Sequence, residues 1–267
     1  MSGSRVAAIV LRILYLYRGS PQRVFPIFVF VAVDIVLWGF LTRYLNSVSR
    51  ADFNFVPALL GAVLLWDFLT RVMQQLTMAL FEDVWSRNFL NFFATPLRTS
   101  EYLAGLLTIS IITSFLSLIA MLAFAELAFG LSFFVYGVAL APFLMVLFLT
   151  GIALGITASA LVLRLGPASE WLIWPIPMLI SPFAGVFYPI AVLPGWMQAV
   201  AMLLPPSYVF EGMRSVVAGN PPPWDRLAVG GGLALLYLAL ACWFFFWVHR
   251  LVIRTGLIAR YSAETVG

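Results

Sequence analysis

The chain has 267 residues, of which 63% are hydrophobic and 10% charged, with a mean hydropathy of +1.03 and a formal net charge of +4. A soluble domain carries about 25% charged residues, so this composition excludes a water-soluble protein, and the continuous apolar runs point to membrane helices rather than alternating barrel strands. All 15 basic residues are arginine, which excludes both a Walker A loop with its Gly-Lys-Ser/Thr and a Schiff-base lysine on this chain. The single Cys242 has no partner for an internal disulfide, and the single His249 cannot build a multi-histidine metal site. His249 reads as a polar residue where the last helix meets water. A pI near 9.5 raises the question of nucleic acid, but the arginines are scattered at helix ends, where they orient a membrane protein.

Residues 1–23 form an N-terminal interfacial segment ahead of a transmembrane domain over 24–267. Arg5, Arg12 and Arg18 interrupt the first apolar stretch, which argues against a signal peptide. Ser4 to Arg18 reads as a helix lying at the membrane surface, ended by Gly19-Ser20-Pro21. The first span is expected from about Val24 to Thr42 with Asp34 in its middle. The second runs from about Phe55 to Phe81 and carries Asp67, Arg71, Gln74 and Gln75.

The stretch Glu82 to Leu97 follows. On a helix, Val84, Trp85, Phe89, Phe92 and Phe93 share one half of the circumference. Asp83, Ser86, Arg87 and Asn91 share the other, with Asn88 and Leu90 each on the wrong side. A short amphipathic helix at the membrane surface fits, and it offers a docking surface for a partner. An ordinary connecting loop fits as well. Thr95-Pro96 reads as the cap and first residue of the next helix.

The third span, Tyr102 to Ala125, is uncharged, and Glu126 and Gly130 mark a tight turn after it. The fourth, about Phe133 to Leu163, contains Pro142 and several glycines and is long enough to be tilted, kinked or extended past the bilayer. From Trp171 to Phe210 the chain is uncharged but broken by Pro175, Pro177, Pro182, Pro189, Pro194, Pro205 and Pro206. We read one span to about Tyr188, then a re-entrant helical pair, because non-helical backbone at membrane depth needs protein or water around it. The last span runs from about Leu227 to Val248.

This layout is an all-α membrane protein with six transmembrane helices, an N-terminal interfacial helix, a cytoplasmic amphipathic helix and a re-entrant helical pair after the fifth span. With both ends cytoplasmic, ten arginines fall inside and four outside, with Arg71 within a span, as the positive-inside rule requires.

Two groups of residues stand out. Asp67 and Arg71 are four apart and share a helix face; they and Asp34 lie roughly 15 Å deep at 1.5 Å per residue. An unpaired charge there costs about 2.5–3.5 kcal/mol or more, so the three are expected to form one cluster. A packing clamp and contact with a polar or phosphate-bearing head group are both open roles. The aromatic group Phe183, Phe187, Tyr188, Trp196, Tyr208 and Phe210 reads as an interfacial belt or as an outer gate that stacks on sugar rings or excludes water. Glu211 and Arg214, three apart, are placed to pin the returning segment.

Several local patterns together resemble one family. Tyr17-Arg18-Gly19-Ser20, Glu82 followed by Ala94-Thr95-Pro96-Leu97, Gly185-Val186-Phe187-Tyr188-Pro189 and Leu193-Pro194-Gly195-Trp196-Met197-Gln198 are similar to segments of ABC-2-type transporter permeases. Leu204-Pro205 and Glu211-Gly212-Met213-Arg214 continue the likeness. Members include exporters of polysaccharides, lipo-oligosaccharides and drugs in the bacterial inner membrane. One departure is Trp85-Ser86-Arg87-Asn88, where many members have a Gly-Thr or Gly-Ser pair.

The resemblance implies two permease copies, here a homodimer, above two copies of a separate ATPase subunit that holds ATP and Mg. No cofactor or metal is then expected on this chain. It also implies that Glu82, Asp83, Trp85, Arg87, Asn88, Phe89, Phe92, Thr95 and Pro96 couple to the ATPase. Phe187, Tyr188, Pro189, Pro194, Trp196, Pro205, Glu211 and Arg214 would form the outer gate. Lipids surround the protein, and no nucleic acid is involved. An ion- or proton-coupled carrier using Asp34, Asp67 and Arg71 is the competing reading, although no inverted repeat supports it. An intramembrane serine protease fits poorly, because His249 lies at a helix end.

Overall fold

The computed structural model describes residues 2–48, 56–85, 97–166, 169, 171 and 173–255. The described residues are helical almost throughout. Helix α1 covers Gly3–Gly19 and α2 covers Pro21–Val48, so the chain breaks at Ser20, between a terminating glycine and a proline that suits a first turn. A π turn, Val56–Leu60, leads into α3, Gly61–Trp85. Helix α4 is Thr99–Phe129, and a 3-10 turn, Phe133–Ala139, precedes α5, Leu140–Leu165. Then come three short helices, α6 Pro175–Ala184, α7 Gly195–Ala201 and α8 Pro205–Val217, and the long α9, Trp224–Arg254.

Five described segments are long and apolar enough to cross a membrane: Val31–Val48, Val56–Phe81, Ser100–Phe129, Phe133–Leu165 and Trp224–Arg254. Five of the expected spans are helical segments: those expected from Val24, Tyr102 and Leu227 outrun both expected ends, and those expected from Phe55 and Phe133 run only past the last expected residue. The fourth span is kinked at one of its glycines, Gly137, whose backbone (φ 53°, ψ −138°) lies outside the helical region, while Pro142 sits harmlessly in the first turn of α5.

Helix α5 is the hub, and it packs along α3 and α9. Glycine permits the closest approach. A Cβ on Gly151 would stand 2.8 Å from the Leu69 carbonyl oxygen, and one on Gly155 would stand 3.0 Å from that of Met73. Thr77, whose hydroxyl donates to Met73 O at 2.9 Å, also reaches Gly155 O at 3.4 Å. Small residues at a membrane helix contact let backbones approach, where van der Waals packing replaces the hydrophobic effect.

The contacts also fix direction. Gly151 meets Leu69 and Val72 while Gly155 meets Met73 and Leu76, so α3 and α5 run the same way. Val146 lies against Gly231, and Arg164 stacks over the Trp247 ring at 5.6 Å, so α5 and α9 are parallel too. Helix α4 runs opposite to α3: its first turn meets α1, and its Ser110 lies by Val72. We call the α1 end of the bundle the near end and the other the far end. At the far end Arg43 donates to Ala128 O at 3.1 Å and covers the Phe129 ring at 5.0 Å, a cation placed at the carbonyl end of α4. Tyr136 donates its hydroxyl to Pro57 O at 2.6 Å, joining the starts of α3 and α5.

Because α5 and α9 are parallel, the connection between them must carry the chain back from the near end to the far end. It does so without a long described helix. The span expected up to Tyr188 is represented by the ten-residue α6, about 15 Å long and half a hydrocarbon layer. Pro175 and Pro177 sit in the opening turn, where a missing N–H is harmless, and Gly185 (φ 63°) ends the helix in the left-handed conformation.

Replacing Gly151 with valine forces the new side chain into the α3 backbone. We expect a loss of about 1–3 kcal/mol, read as a lower unfolding temperature in detergent, with the control Gly232→Val, which meets open space, leaving it unchanged. Equal behaviour of the two variants would contradict the close contact.

Candidate functional site

Two polar constructions interrupt the apolar bundle. In the first, Arg71 Nε donates to Asp67 Oδ2 at 2.6 Å, one turn apart on α3. Their side chains keep 10% and 16% of their exposure, so the pair is withdrawn from any solvent. Asp34 on α2 is half-buried and lies close enough to interact electrostatically with both. The structure therefore brings all three residues to one place between α2 and α3. One guanidinium faces two carboxylates, so the cation has opposite charge on two sides.

The second construction is the far-end hairpin from Ala184 to Pro205. Its backbone is broken repeatedly, and each break leaves carbonyls without helical partners. Side chains take them up. Tyr188 donates to Pro182 O at 2.9 Å, Gln198 Nε2 to Leu193 O at 2.8 Å, Tyr208 to Met202 O at 2.8 Å and Tyr237 of α9 to Leu203 O at 2.7 Å. Glu211 Oε1 accepts the Ile190 N–H at 2.8 Å and the Arg214 Nη2 at 2.8 Å. This carboxylate thus ties α8 to the 3-10 turn Ile190–Val192. A Cβ on Gly185 would lie 3.4 Å from Arg214 Nη2, so α6 ends against the same cluster.

The aromatic residues divide into two sets. Phe187 stacks on Trp38 of α2 at 5.3 Å with planes 10° apart, and Phe183 meets Trp196 edge-on at 6.0 Å. Trp196 and Phe187 remain exposed. Phe210 does not belong to an interfacial belt: it is fully buried, 6.0 Å from Trp66 of α3. Pro189 and Pro194 precede the 3-10 turn and α7, and Pro205 opens α8. The sequence marks Gln198 only as the end of the Leu193–Gln198 pattern and does not mark Tyr237; a glutamine or tyrosine within an apolar run is the available signal, but the run does not say which carbonyl it meets.

Most of the expected surface helix, Glu82 to Leu97, lies outside the described residues. The backbone of Glu82, Asp83 and Trp85 continues α3 to its end instead of starting a separate helix. Arg87, Asn88, Phe89, Phe92, Thr95 and Pro96 lie outside the described residues. The next helix begins at Thr99, later than Thr95-Pro96 suggested, because Glu101 accepts the Arg98 N–H at 3.1 Å and so fixes the cap at Arg98. His249 is another departure: it is buried and stacked on Phe245 at 6.3 Å. Among the described residues, no cluster of three or more His, Cys, Asp or Glu is placed to hold a metal.

A family model described as "ABC-2 family transporter protein" matches residues 42–249, more than three-quarters of the chain. The chain belongs to the ABC-2 transporter family. No curated protein matches it. As an ABC-2 membrane domain it is a multi-pass transport component, not itself a catalyst. The matched region begins at Thr42 and so takes in Asp67, Arg71 and the far-end hairpin, but not Asp34 or α1.

Removing the Arg71 side chain would leave two carboxylates facing each other without a counter-charge. Breaking a buried pair costs about 3–5 kcal/mol. Arg71→Ala should therefore reduce accumulation and thermal stability, and Asp67→Asn in the same chain should recover part of the loss. If Arg71→Ala folds like the wild type and loses transport alone, the cluster acts on cargo and the clamp reading fails.

Proposed function

We propose that this chain is the permease subunit of an ATP-driven exporter, with two copies lining the path and two separate ATPase subunits beneath. Membership of the ABC-2 family carries the reading. The absence of lysine supports it, because this polypeptide cannot cradle nucleotide with a Walker A loop and needs an engine on another chain.

On this reading the near end faces the cytoplasm. Among the described residues, Arg5, Arg12, Arg18, Arg98, Arg164, Arg250 and Arg254 belong to near-end segments, while Arg43, Arg214 and Arg226 belong to far-end ones. That imbalance is the one the positive-inside rule expects of an inner-membrane protein. The broken connection from α5 to α9 would supply the fifth crossing, for six in all with both termini inside. Glu82, Asp83, Trp85, Arg87, Asn88, Phe89, Phe92, Thr95 and Pro96 would then form the ATPase-coupling surface. The far-end hairpin, with Phe187, Tyr188, Trp196 and the Glu211–Arg214 pair, would be the outer gate. Its aromatic faces and apolar surroundings suit a lipid-linked, saccharide or hydrophobic cargo.

The test is purification from the native host in mild detergent. We expect a Walker-motif ATPase to accompany the wild type in equal amount and to be lost when Trp85 and Phe89 become aspartate. A preparation with no ATPase, under conditions that keep a known transporter complex intact, would overturn the proposal. Weight would then shift to an ion-coupled carrier built on Asp34, Asp67 and Arg71.

A further inference from the structure

Helix α2 has a buried face and an open one. Val31, Ile35 and Thr42 keep at most 3% of their exposure, while Val33, Leu37 and Phe40 keep 55–60%. At about 100° per residue Asp34 falls on the seam between these faces, and Trp38, four residues on, falls on the same seam. Asp34 is thirteen residues from the start of α2 and fourteen from its end, about 20 Å from either, which is the middle of a membrane crossing.

The charge cluster is not symmetric about its guanidinium. Asp67 is bonded to Arg71 Nε at 2.6 Å, and its side chain keeps 16% of its exposure. Asp34 is half-buried and interacts with Arg71 only through space; among the described residues no hydrogen bond or ion pair ends on it. The open part of a carboxyl group at this depth meets either hydrocarbon or water. Hydrocarbon offers it no donor, and ionisable side chains in membrane helices accordingly turn to protein or to water. Toward the far end the same seam is covered. Phe187 of the hairpin stacks on Trp38 at 5.3 Å with planes 10° apart, one helical turn, or about 6 Å, beyond Asp34. Gly185 (φ 63°) and Pro189 bracket Phe187, so the ring is carried by broken backbone and not by a continuous helix.

We propose that Asp34 lines a water-filled crevice between α2 and α3, and that the Trp38–Phe187 stack is its lid toward the far end. The inference rests on the membrane reading and deepens the proposed outer gate by giving it a closing contact on α2. It needs no ATPase, so a missing ATPase and a missing crevice are separate failures.

The experiment uses the full chain, reconstituted in phosphatidylcholine liposomes. Two carbodiimides are compared: a water-soluble cationic one supplied with glycine methyl ester, and the hydrocarbon-soluble dicyclohexylcarbodiimide. After quenching, trypsin cuts behind Arg23 and Arg43 and releases residues 24–43, in which Asp34 is the only acidic side chain, so mass spectrometry counts its modification. We expect the water-soluble reagent to modify Asp34, and Phe187→Ala to raise that rate about two- to tenfold, the change that loss of one aromatic stack allows. Trp38→Leu removes the same stack from the α2 side and should give the same increase. Val192→Ala, at an exposed aliphatic position of the hairpin, should leave the rate unchanged. Modification by the hydrocarbon-soluble reagent alone would place Asp34 against lipid and overturn the crevice, as would modification by neither. An unchanged rate in Phe187→Ala, or an increase in only one of the two stack variants, overturns the lid.

Discussion

Three long helices of this protein run in the same direction, and the rest of the chain accommodates that fact. Helices α3, α5 and α9 are parallel, with α5 in the middle, seated on α3 through Gly151 and Gly155 and on α9 from Gly231 to Trp247. Parallel neighbours need return connections that traverse the bundle. Between α3 and α5 the return is α4, thirty-one residues and unbroken. Between α5 and α9 the return is made of short pieces, and this asymmetry gives the far end its character.

A broken return is costly in an apolar setting, since each interrupted helix exposes carbonyls that water cannot reach. The protein meets this with local donors. Four hydroxyl or amide groups take up carbonyls between Pro182 and Leu203, Gln198 reaching those of both Ala191 and Leu193, and Glu211 takes the Ile190 N–H. Each such bond is worth only about 0.5–1.5 kcal/mol net, whereas a continuous helix would have to lose many bonds together before it bent.

Much of this was legible in the sequence, and the limits have physical causes. Apolar run length reveals the long helices because the bilayer sets their scale. The i to i+4 spacing of Asp67 and Arg71 gives their pairing directly, and the cost of an isolated buried charge draws Asp34 toward them. The proline-rich stretch announces an irregular segment, but prolines say where a helix cannot continue, not how far the preceding one extends. The helix there is accordingly shorter than one bilayer crossing. Phe210 shows the same limit: an aromatic near a predicted interface and an aromatic in the core look alike until the neighbouring helix is known. The start of α4 was misplaced because Thr-Pro is a strong local signal, while the decisive bond comes from Glu101.

That same glutamate ties two distant parts of the chain together. Its Oε1 holds the Ser2 N–H and its Oε2 holds both Arg5 and the Arg98 N–H at the head of α4. One carboxylate thus serves as the local cap of α4 and as the acceptor for the opening of α1, nearly a hundred residues earlier in the chain. Its loss would take a bond from both helix starts at once.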